Sequence, residues 1–448
     1  MLQDLNGLTV SLDAGAARDA WNATQSAFLA HGAATPQMLA ATLNATPEFA
    51  LGHAAKGLFY LLLGRAELLP AAQLALEAAR AGSADSREAV YVRALRAALK
   101  GRLSLAADML DDLLAIWPRD ALAMKLVHAL RFISGDAVGM RASLDAIAPQ
   151  WDDHPLRGYL MGCQAFALEE TGEYALAERI GRAGLELAPD DAWGLHAVAH
   201  VHDMTGRAAD GVRWLAGKSG HWAHCNNFGY HVWWHLALFH IDRGATGPAL
   251  ELYDRKVRPA PTDDFRDIAN AASLLMRLEI EGVDVGGRWE ELADLSAARR
   301  DDGVLVFADL HYQIALVRAG RRADAVALAD RMARDAGLLL HDQHEVAAIC
   351  GLSVAQGLLE FRDGAYAEAL DKLRAALKEL ARIGGSHAQR DVYWRLTVEA
   401  ALRAGKMTVA RELLEQRKVA RGAEDGYTQR SFDRINAHTR MIDGMAAE

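Results

Sequence analysis

A glycine recurs along this chain of 448 residues at intervals of 34 to 44 residues, each time after a stretch of helical composition. The ten positions are Gly64, Gly101, Gly135, Gly172, Gly206, Gly244, Gly282, Gly320, Gly364 and Gly405. Because glycine accepts the left-handed backbone that commonly ends a helix, each position predicts the turn of a helix–turn–helix unit. Intervals of this length are typical of helical solenoids, and ~34 residues is the period of the tetratricopeptide repeat (TPR).

Two of the predicted units carry further features of that repeat. After Gly101 and Gly172, an alanine follows five residues later and a proline seventeen residues later. Around Gly172 the pattern predicts helices over Gly158–Glu170 and Tyr174–Leu187. Alanine, leucine, arginine and glutamate are abundant and there are only ten prolines, which favours helix throughout. We therefore predict an all-α fold, a TPR-like helix–turn–helix superhelix (α-solenoid) of about ten hairpins.

The start of the repeat divides the chain into three predicted parts. Residues 1–47 are predicted to form an N-terminal helical cap, with helices over Asp13–Leu29 and Pro36–Leu43. Residues 48–437 are predicted to form one helical array, whose site is centred on residues 191–242. The remaining residues, 438–448, are predicted to be a C-terminal tail.

Net charge and composition argue against some classes of binding partner. The formal net charge is −10 without long runs of one sign, and nucleic-acid binding needs a basic face, so we expect no nucleic-acid partner. Three cysteines far apart argue against a disulfide framework. No basic segment followed by an apolar core opens the chain, and no apolar run approaches the ~20 residues that span a bilayer. We expect a cytoplasmic protein without a membrane partner, and the sequence is compatible with a homo-oligomer.

The chemically unusual stretch lies at the centre of the chain. Eight of the seventeen histidines fall between His196 and His240, and five of the ten tryptophans fall between Trp193 and Trp234. Two histidine pairs have the spacing i, i+4, which places both rings of a pair on one helix face. The loop that precedes the second pair is longer than a TPR turn, and such insertions tend to lie over a functional face.

One hypothesis for this stretch is a metal site. The two pairs are His196/His200 and His231/His235, and Asp203 would be available as a further ligand or catalytic carboxylate. Imidazole suits a divalent metal such as zinc or iron, and a metal-bound hydroxide would act as a nucleophile. The HExxH glutamate of zinc proteases is absent. The structural alternative is that these histidines are hydrogen-bonded core residues between packed helices.

A second hypothesis is a pocket without a metal. Trp193 and Trp234 would form flat apolar walls, Asn227 would orient polar groups of the ligand, and one histidine would serve as a general base. His311 occupies a similar groove-side position further along the chain. Each of these residues also has a purely structural explanation in helix–helix packing.

A second unusual stretch, RIGGSHAQRDVYWRL, lies near the C-terminus. Ser386 followed three residues later by Gln389 is a capping box, which would explain both residues structurally. In the functional alternative, Gln389, Arg390 and Asp391 lie at a helix start and reach into the groove, where Arg390 would receive a carboxylate.

Taken together, several long strings resemble the tetratricopeptide repeat protein 38 family along nearly the whole chain. They are Phe49–Gly57 (FALGHAAKG), Asp191–Met204 (DAWGLHAVAHVHDM), His231–Leu238 (HVWWHLAL), Gly244–Asp254, Leu278–Trp289 (LEIEGVDVGGRW), Val306–His311 and Ile383–Val392 (IGGSHAQRDV). The residues that carry the resemblance include His53, His196, His200, His202, His231, Trp234, His235, His311, Gln389, Arg390 and Asp391. The resemblance implies the same helical repeats and a site at these residues, but it does not name the chemistry. The spacing before HVWWH departs from the family pattern, so Asn227 and its neighbours carry over poorly.

Three classes of function remain open from the sequence. We favour a central His/Trp-rich cleft that binds a small polar or aromatic molecule or a short peptide, with or without catalysis. The first alternative is a metal-dependent, His-ligated enzyme of hydrolytic type. The second is a protein–protein scaffold, which predicts an open groove, whereas the first two predict a deep, closed pocket.

Overall fold

The computed structural model describes residues 2–82 and 84–446, and most of them lie in helices. A short antiparallel hairpin, β1 (Leu2–Gln3) and β2 (Thr9–Val10), precedes the helices. The helices of the N-terminal half are α1 Gly15–Leu29, α2 Thr35–Ala45, α3 Ala50–Leu62, α4 Leu69–Ala81, α5 Glu88–Leu99, α6 Leu103–Ile116, α7 Ala121–Ile133, α8 Ala137–Ile147, α9 Arg157–Glu170, α10 Tyr174–Leu187, α11 Ala192–Met204 and α12 Ala208–Leu215.

The C-terminal half continues the same alternation. Its helices are α13 Phe228–Asp242, α14 Thr246–Leu252, α15 Phe265–Ile280, α16 Arg288–Ala298, α17 Val306–Arg318, α18 Arg322–Leu338, α19 Asp342–Val346, α20 Leu352–Arg362, α21 Tyr366–Ala376, α22 His387–Arg403, α23 Met407–Arg421 and α24 Gly426–Ala446. Shorter 3₁₀ turns cover Ala66–Leu68, Ala148–Gln150, Ser219–Trp222 and Leu377–Ile383, and wider π-type turns cover Tyr253–Val257 and Ala347–Gly351. None of the described helices is long and apolar enough to cross a membrane.

The predicted TPR-like architecture is confirmed. Each of the ten predicted turn glycines follows the first helix of a pair and has a φ between 60° and 84°. The pair α9/α10 matches its predicted bounds within one residue. At the N-terminus α1 and α2 form the expected two helices. At the other end α24 runs through residue 438 without a break, so the segment predicted as a tail begins inside a helix.

The superhelix curls until late helices contact the turns of early ones. The amide of Asp342 donates to the carbonyl of Gly101 over 3.1 Å, and Arg430 pairs with Glu281 at 2.7 Å. Inside this closed form α22 packs against α11, α15 and α17. One contact there is a 2.6 Å hydrogen bond from the Arg277 guanidinium to the Ala388 carbonyl. The concave side is therefore occupied by a helix of the chain itself.

The apolar core forms two large clusters, one in the N-terminal half up to Ala197 and one from Trp234 onward. The stretch predicted to carry the site, residues 191–242, spans the junction between them. Helices α11 and α13 are adjacent first helices of consecutive hairpins, and they contact each other at this junction. Repeat geometry thus brings the two histidine pairs together without any special connection.

Candidate functional site

The four histidines of the two pairs converge on one point. His196 and His200 come from α11, and His231 and His235 come from α13. Their Nε2 atoms lie 2.8 Å apart for His196–His200, 3.1 Å for His196–His231 and 3.2 Å for His231–His235. One ring nitrogen from each of the four lies within 4.8 Å of the other three. We call this group the four-histidine cluster.

Hydrogen bonding among the four rings cannot satisfy all of these contacts. A neutral imidazole nitrogen carries either one proton or one lone pair, so four such nitrogens form at most two hydrogen bonds with one another. At least one of the three short contacts therefore has no hydrogen bond. A cation that accepts all four lone pairs would satisfy every member of the cluster.

The size of the cluster fits such an ion. Zinc–nitrogen bonds of 2.0–2.1 Å place tetrahedral ligand atoms about 3.4 Å apart, and octahedral neighbours about 2.9 Å apart. The observed contacts of 2.8 to 3.2 Å lie in or just below this range. A small outward rotation of the rings would admit a first-row divalent ion.

Burial keeps the cluster in the form that binds metals. Burial lowers the pKa of His231 to about 4, an effect that the Asn270 hydrogen bond partly offsets. Burial, together with the neighbouring histidines, holds the pKa of His196, His200 and His235 well below the usual value of 6.5. The rings are therefore neutral at pH 7, and a neutral imidazole is the ligand that a metal requires.

One outward-facing nitrogen of the cluster has a partner of the kind found behind metal ligands. His231 Nδ1 donates to the Asn270 side-chain oxygen over 2.9 Å, which leaves the lone pair on Nε2. His200 Nδ1 lies 3.6 Å from a carboxylate oxygen of Glu169, a fully buried side chain. The hydrogen bond to Asn270 orients the His231 ring and fixes its tautomer, as partners behind metal ligands do. Within the described part of the chain, Nδ1 of His196, of His200 and of His235 has no hydrogen-bond partner.

A cavity of about 700 Å³ lies beside the cluster. His196 and His231 line it, whereas His200 and His235 lie behind them. Its walls are mainly apolar and aromatic, and the aromatic residues include Phe28, Phe59, Phe132, Trp193, Phe228, Phe265 and Phe307. An ion held by the four histidines would therefore have one side toward this space.

The long loop after α12 closes part of the cavity. It reaches back to the turn between α1 and α2, where Cys225 pairs with Gly32 and the Asn226 amide donates to the His31 carbonyl over 2.8 Å. The N-terminal cap and this loop thus form one wall together. Burial raises the pKa of the Cys225 thiol to about 12, so a thiolate nucleophile is not available there.

Of the predicted tryptophan and asparagine residues of the central stretch, two line the cavity and one is buried behind it. Trp193 and Asn227 line the cavity, and the Asn227 amide donates to Asp267 over 2.7 Å. Trp234 is fully buried behind His231, with ring centroids 5.1 Å apart, and donates to the Ser273 hydroxyl.

Two further predicted residues lie outside the cavity lining. Asp203 accepts a hydrogen bond from Arg421 over 3.1 Å. His311 is buried in the core, where its Nδ1 donates to the Phe307 carbonyl over 2.7 Å.

The predicted residues near the C-terminus also divide into some that line the cavity and others that do not. Ser386 and Gln389 form the predicted capping box of α22, and both also line the cavity. Arg390 pairs with Glu170 at 3.0 Å, and Asp391 binds Arg395 and Arg417. The carboxylate that Arg390 receives thus belongs to the chain itself.

Sequence reasoning missed cavity residues that come from distant helices. Lys125 and His128 lie on α7, about seventy residues before the cluster, and Asn270 lies on α15. A lysine within the apolar stretch ALAMKLVHALRFI was the available signal, because a lysine on a buried helix is rare unless it is paired. No comparable signal marks Asn270.

No known protein-family model matches the chain. Two solved structures resemble it over most of their length. A human IFIT1 dimer with m7Gppp-AAAA shares 15% identity over 96% of both chains at a TM-score of 0.38. Yeast Tom70 shares 13% identity over 95% of this chain and 88% of its own, at a TM-score of 0.35. At these values neither likeness bears on function.

Proposed function

We propose that this protein binds a small molecule in its central cavity, in contact with a metal ion held by His196, His200, His231 and His235. The observation that carries the proposal is the convergence of four ring nitrogens within 4.8 Å of one another, at separations of 2.8 to 3.2 Å for three of the pairs. Zinc and iron are the ions that suit four imidazoles in this setting.

The chemistry of the centre follows from its ligands. Four neutral imidazoles leave the full positive charge on a divalent ion, so an ion that kept a further coordination position open to the cavity would polarise an oxygen atom of the ligand or lower the pKa of a bound water. Hydrolysis is the reaction class that such a centre supports. The protein residues would position the ligand and exclude bulk water, and Asn270 would keep the His231 ring in one tautomer.

An enclosed ligand fits this architecture better than a peptide or protein laid along a groove. The concave side of the superhelix holds α22, and the cap and the long loop close part of the cavity. A scaffold with an open groove would leave this surface free. The resemblance to the tetratricopeptide repeat protein 38 family supports the same proposal, because the strings that carry it contain all four histidines. We extend the proposal to membership of that family.

The test is the metal content of the purified protein. The chain would be purified without a histidine tag or chelator, supplied with zinc or iron(II), desalted and analysed by plasma mass spectrometry. We expect about one ion per chain in the wild type and none in a His196→Ala/His231→Ala variant. A His202→Ala/His240→Ala variant removes one histidine from each of the same helices outside the cluster, and it should keep the ion.

Folding must be controlled, because the cluster is buried. A single His200→Gln variant keeps a polar side chain and should lower metal affinity by at least the 10- to 100-fold that loss of a partner behind a ligand costs, while circular dichroism stays unchanged. In the wild type, added metal at a hundred times its Kd should stabilise the fold by about 2.7 kcal/mol. A wild type that binds less than a tenth of an equivalent, or a double variant that binds as much as the wild type, would refute the proposal.

A further inference from the structure

The charged residues that line the cavity do not balance. Its one acidic lining residue among those described is Asp264, which is paired with Arg266 at 2.6 Å. Lys56 and Lys125 also line the cavity, and neither has a carboxylate within 4.0 Å in the described structure. The cavity thus carries excess positive charge in a chain whose net charge is −10.

Lys125 is the more informative of the two lysines, because only 4% of it is exposed. Its ammonium lies 3.7 Å from the Cys163 sulfur and 4.9 Å from the Trp193 ring centroid. Burial raises the pKa of that thiol to about 11, so it carries no compensating charge. Asp191 interacts electrostatically with Lys125 but lies beyond ion-pair distance. The Asp191 carboxylate accepts a hydrogen bond from the Trp193 backbone amide at the start of α11, and burial raises the pKa of Asp191 to about 7.

A buried ammonium without a close counter-charge is costly, and lysine is almost never fully buried unless it is paired. A divalent ion at the four-histidine cluster would add further positive charge, since its ligands are neutral. Trp193 lies between Lys125 and the four-histidine cluster, with its ring centroid 5.0 Å from that of His196. An anion in the cavity would offset both charges.

The polar groups around Lys125 also lack acceptors. His128 follows one turn later on α7, lines the cavity and is 2% exposed, and neither of its ring nitrogens has a hydrogen-bond partner in the part of the chain described. The indole nitrogen of Trp193 is likewise unpartnered. Lysine and tryptophan only donate and a neutral histidine has one donor, so an acceptor-only group such as a carboxylate suits this set.

We propose that the ligand of the cavity is an amphipathic monocarboxylate, whose carboxylate binds Lys125 and whose hydrocarbon or aryl body lies along the apolar walls. This inference rests on the proposed function, because it names the ligand class of the same cavity. Phe28, Leu39, Phe59 and Phe132 supply the apolar surface. A phosphate is disfavoured, because phosphates are usually held by arginine forks or by a nest of backbone amides, and the one arginine of the cavity lining, Arg266, is already paired with Asp264.

The test is calorimetric titration of metal-loaded protein of measured metal content with decanoate, decylamine and decyl phosphate. We expect decanoate to bind, decylamine to show no heat of binding and decyl phosphate to bind at least tenfold more weakly. A Lys125→Met variant should lose affinity for decanoate about 10- to 100-fold, the usual effect of losing a charged hydrogen bond. Lys100 is exposed at the end of α5, so Lys100→Met is the matched control and should bind like the wild type.

The fold of the key variant is tested separately. Methionine has a shape similar to lysine and removes an uncompensated charge, so Lys125→Met should melt at or above the wild-type temperature without ligand. If that variant does not fold, Lys125→Gln tests the same charge with a polar side chain.

The outcomes distinguish this inference from the proposed function. Metal-loaded wild type that binds decylamine or decyl phosphate as well as decanoate, or a folded Lys125→Met variant that binds decanoate normally, would overturn the inference and leave the metal site standing. Wild type that takes up no metal but binds decanoate, with the affinity lost in Lys125→Met, would support the inference and refute the metal proposal.

Discussion

Replacing Asp391 by asparagine removes the negative charge at the centre of a buried ion network. Asp391 accepts from Arg395 Nε over 2.7 Å and from Arg417 Nε over 2.6 Å, and Arg417 also binds Asp425 at 2.6 Å. All four side chains are at most 8% exposed. Burial acts to raise the pKa of Asp391, but Arg417 and Arg395 outweigh it and hold that pKa well below its usual range.

The expected loss of stability is large, because one partner is removed and the others stay buried. Breaking a buried ion pair in this way costs about 3 to 5 kcal/mol, so the Asp391→Asn variant should lose that amount at pH 7. Because the pKa of Asp391 is depressed in the folded protein, its contribution to stability decreases as the pH falls. The wild-type contribution is fully present above the unfolded pKa of about 3.9 and declines as the pH falls below it.

The assay is guanidinium unfolding followed by circular dichroism. Asp153→Asn is the matched control, because Asp153 also pairs with an arginine, at 2.5 Å, but its side chain is 86% exposed. We expect no measurable change for that variant. Equal midpoints for Asp391→Asn and the wild type would refute the account of the network. Loss of decanoate binding by a fully stable Asp391→Asn variant would instead return Asp391 to the ligand-binding residues.

Two further predictions concern the core and the turns. Burial lowers the pKa of His311 to about 4, so its contribution to stability is present above pH 6.5 and is lost on acidification. His311→Gln should therefore reduce the loss of stability between pH 7 and pH 5 by about 2 kcal/mol, measured by unfolding at both pH values. Gly135 and Gly172 both have positive φ, but an added Cβ would overlap the Ala381 carbonyl oxygen only at Gly135. Gly135→Ala should therefore cost about 1 to 3 kcal/mol more than Gly172→Ala, and equal unfolding midpoints would contradict this.

Local features of the sequence predicted the helices well. The turn glycines could be found because the left-handed backbone after a helix excludes most other residues, and Gly172 has a φ of 84° as expected. The capping box of Ser386 and Gln389 could also be predicted, because both of its hydrogen bonds join residues that are three positions apart along the chain. Such features depend on neighbours along the chain, which a single sequence contains.

The candidate site was predictable only in part. The i, i+4 spacing placed each histidine pair on one face, and the repeat placed the helices of His196 and His231 side by side. The partner of the His231 Nδ1 atom, Asn270, and the lysine of the cavity, Lys125, come from other hairpins and have no spacing relation to the histidines. Trp234 was expected at a wall, but it lies behind His231, because a rotation of one position on a helix moves a side chain by about 100°.

The sequence by itself determined the helices, their turns and the faces that carry the histidines. Tertiary structure alone decided that the superhelix closes, that α22 fills its concave side and that Arg390 meets Glu170, a residue 220 positions away. The physical reason is that the curvature of a solenoid is the sum of small rotations at each interface between repeats. A few degrees per repeat, set by side-chain packing rather than by any local pattern, separate an open groove from an enclosed cavity.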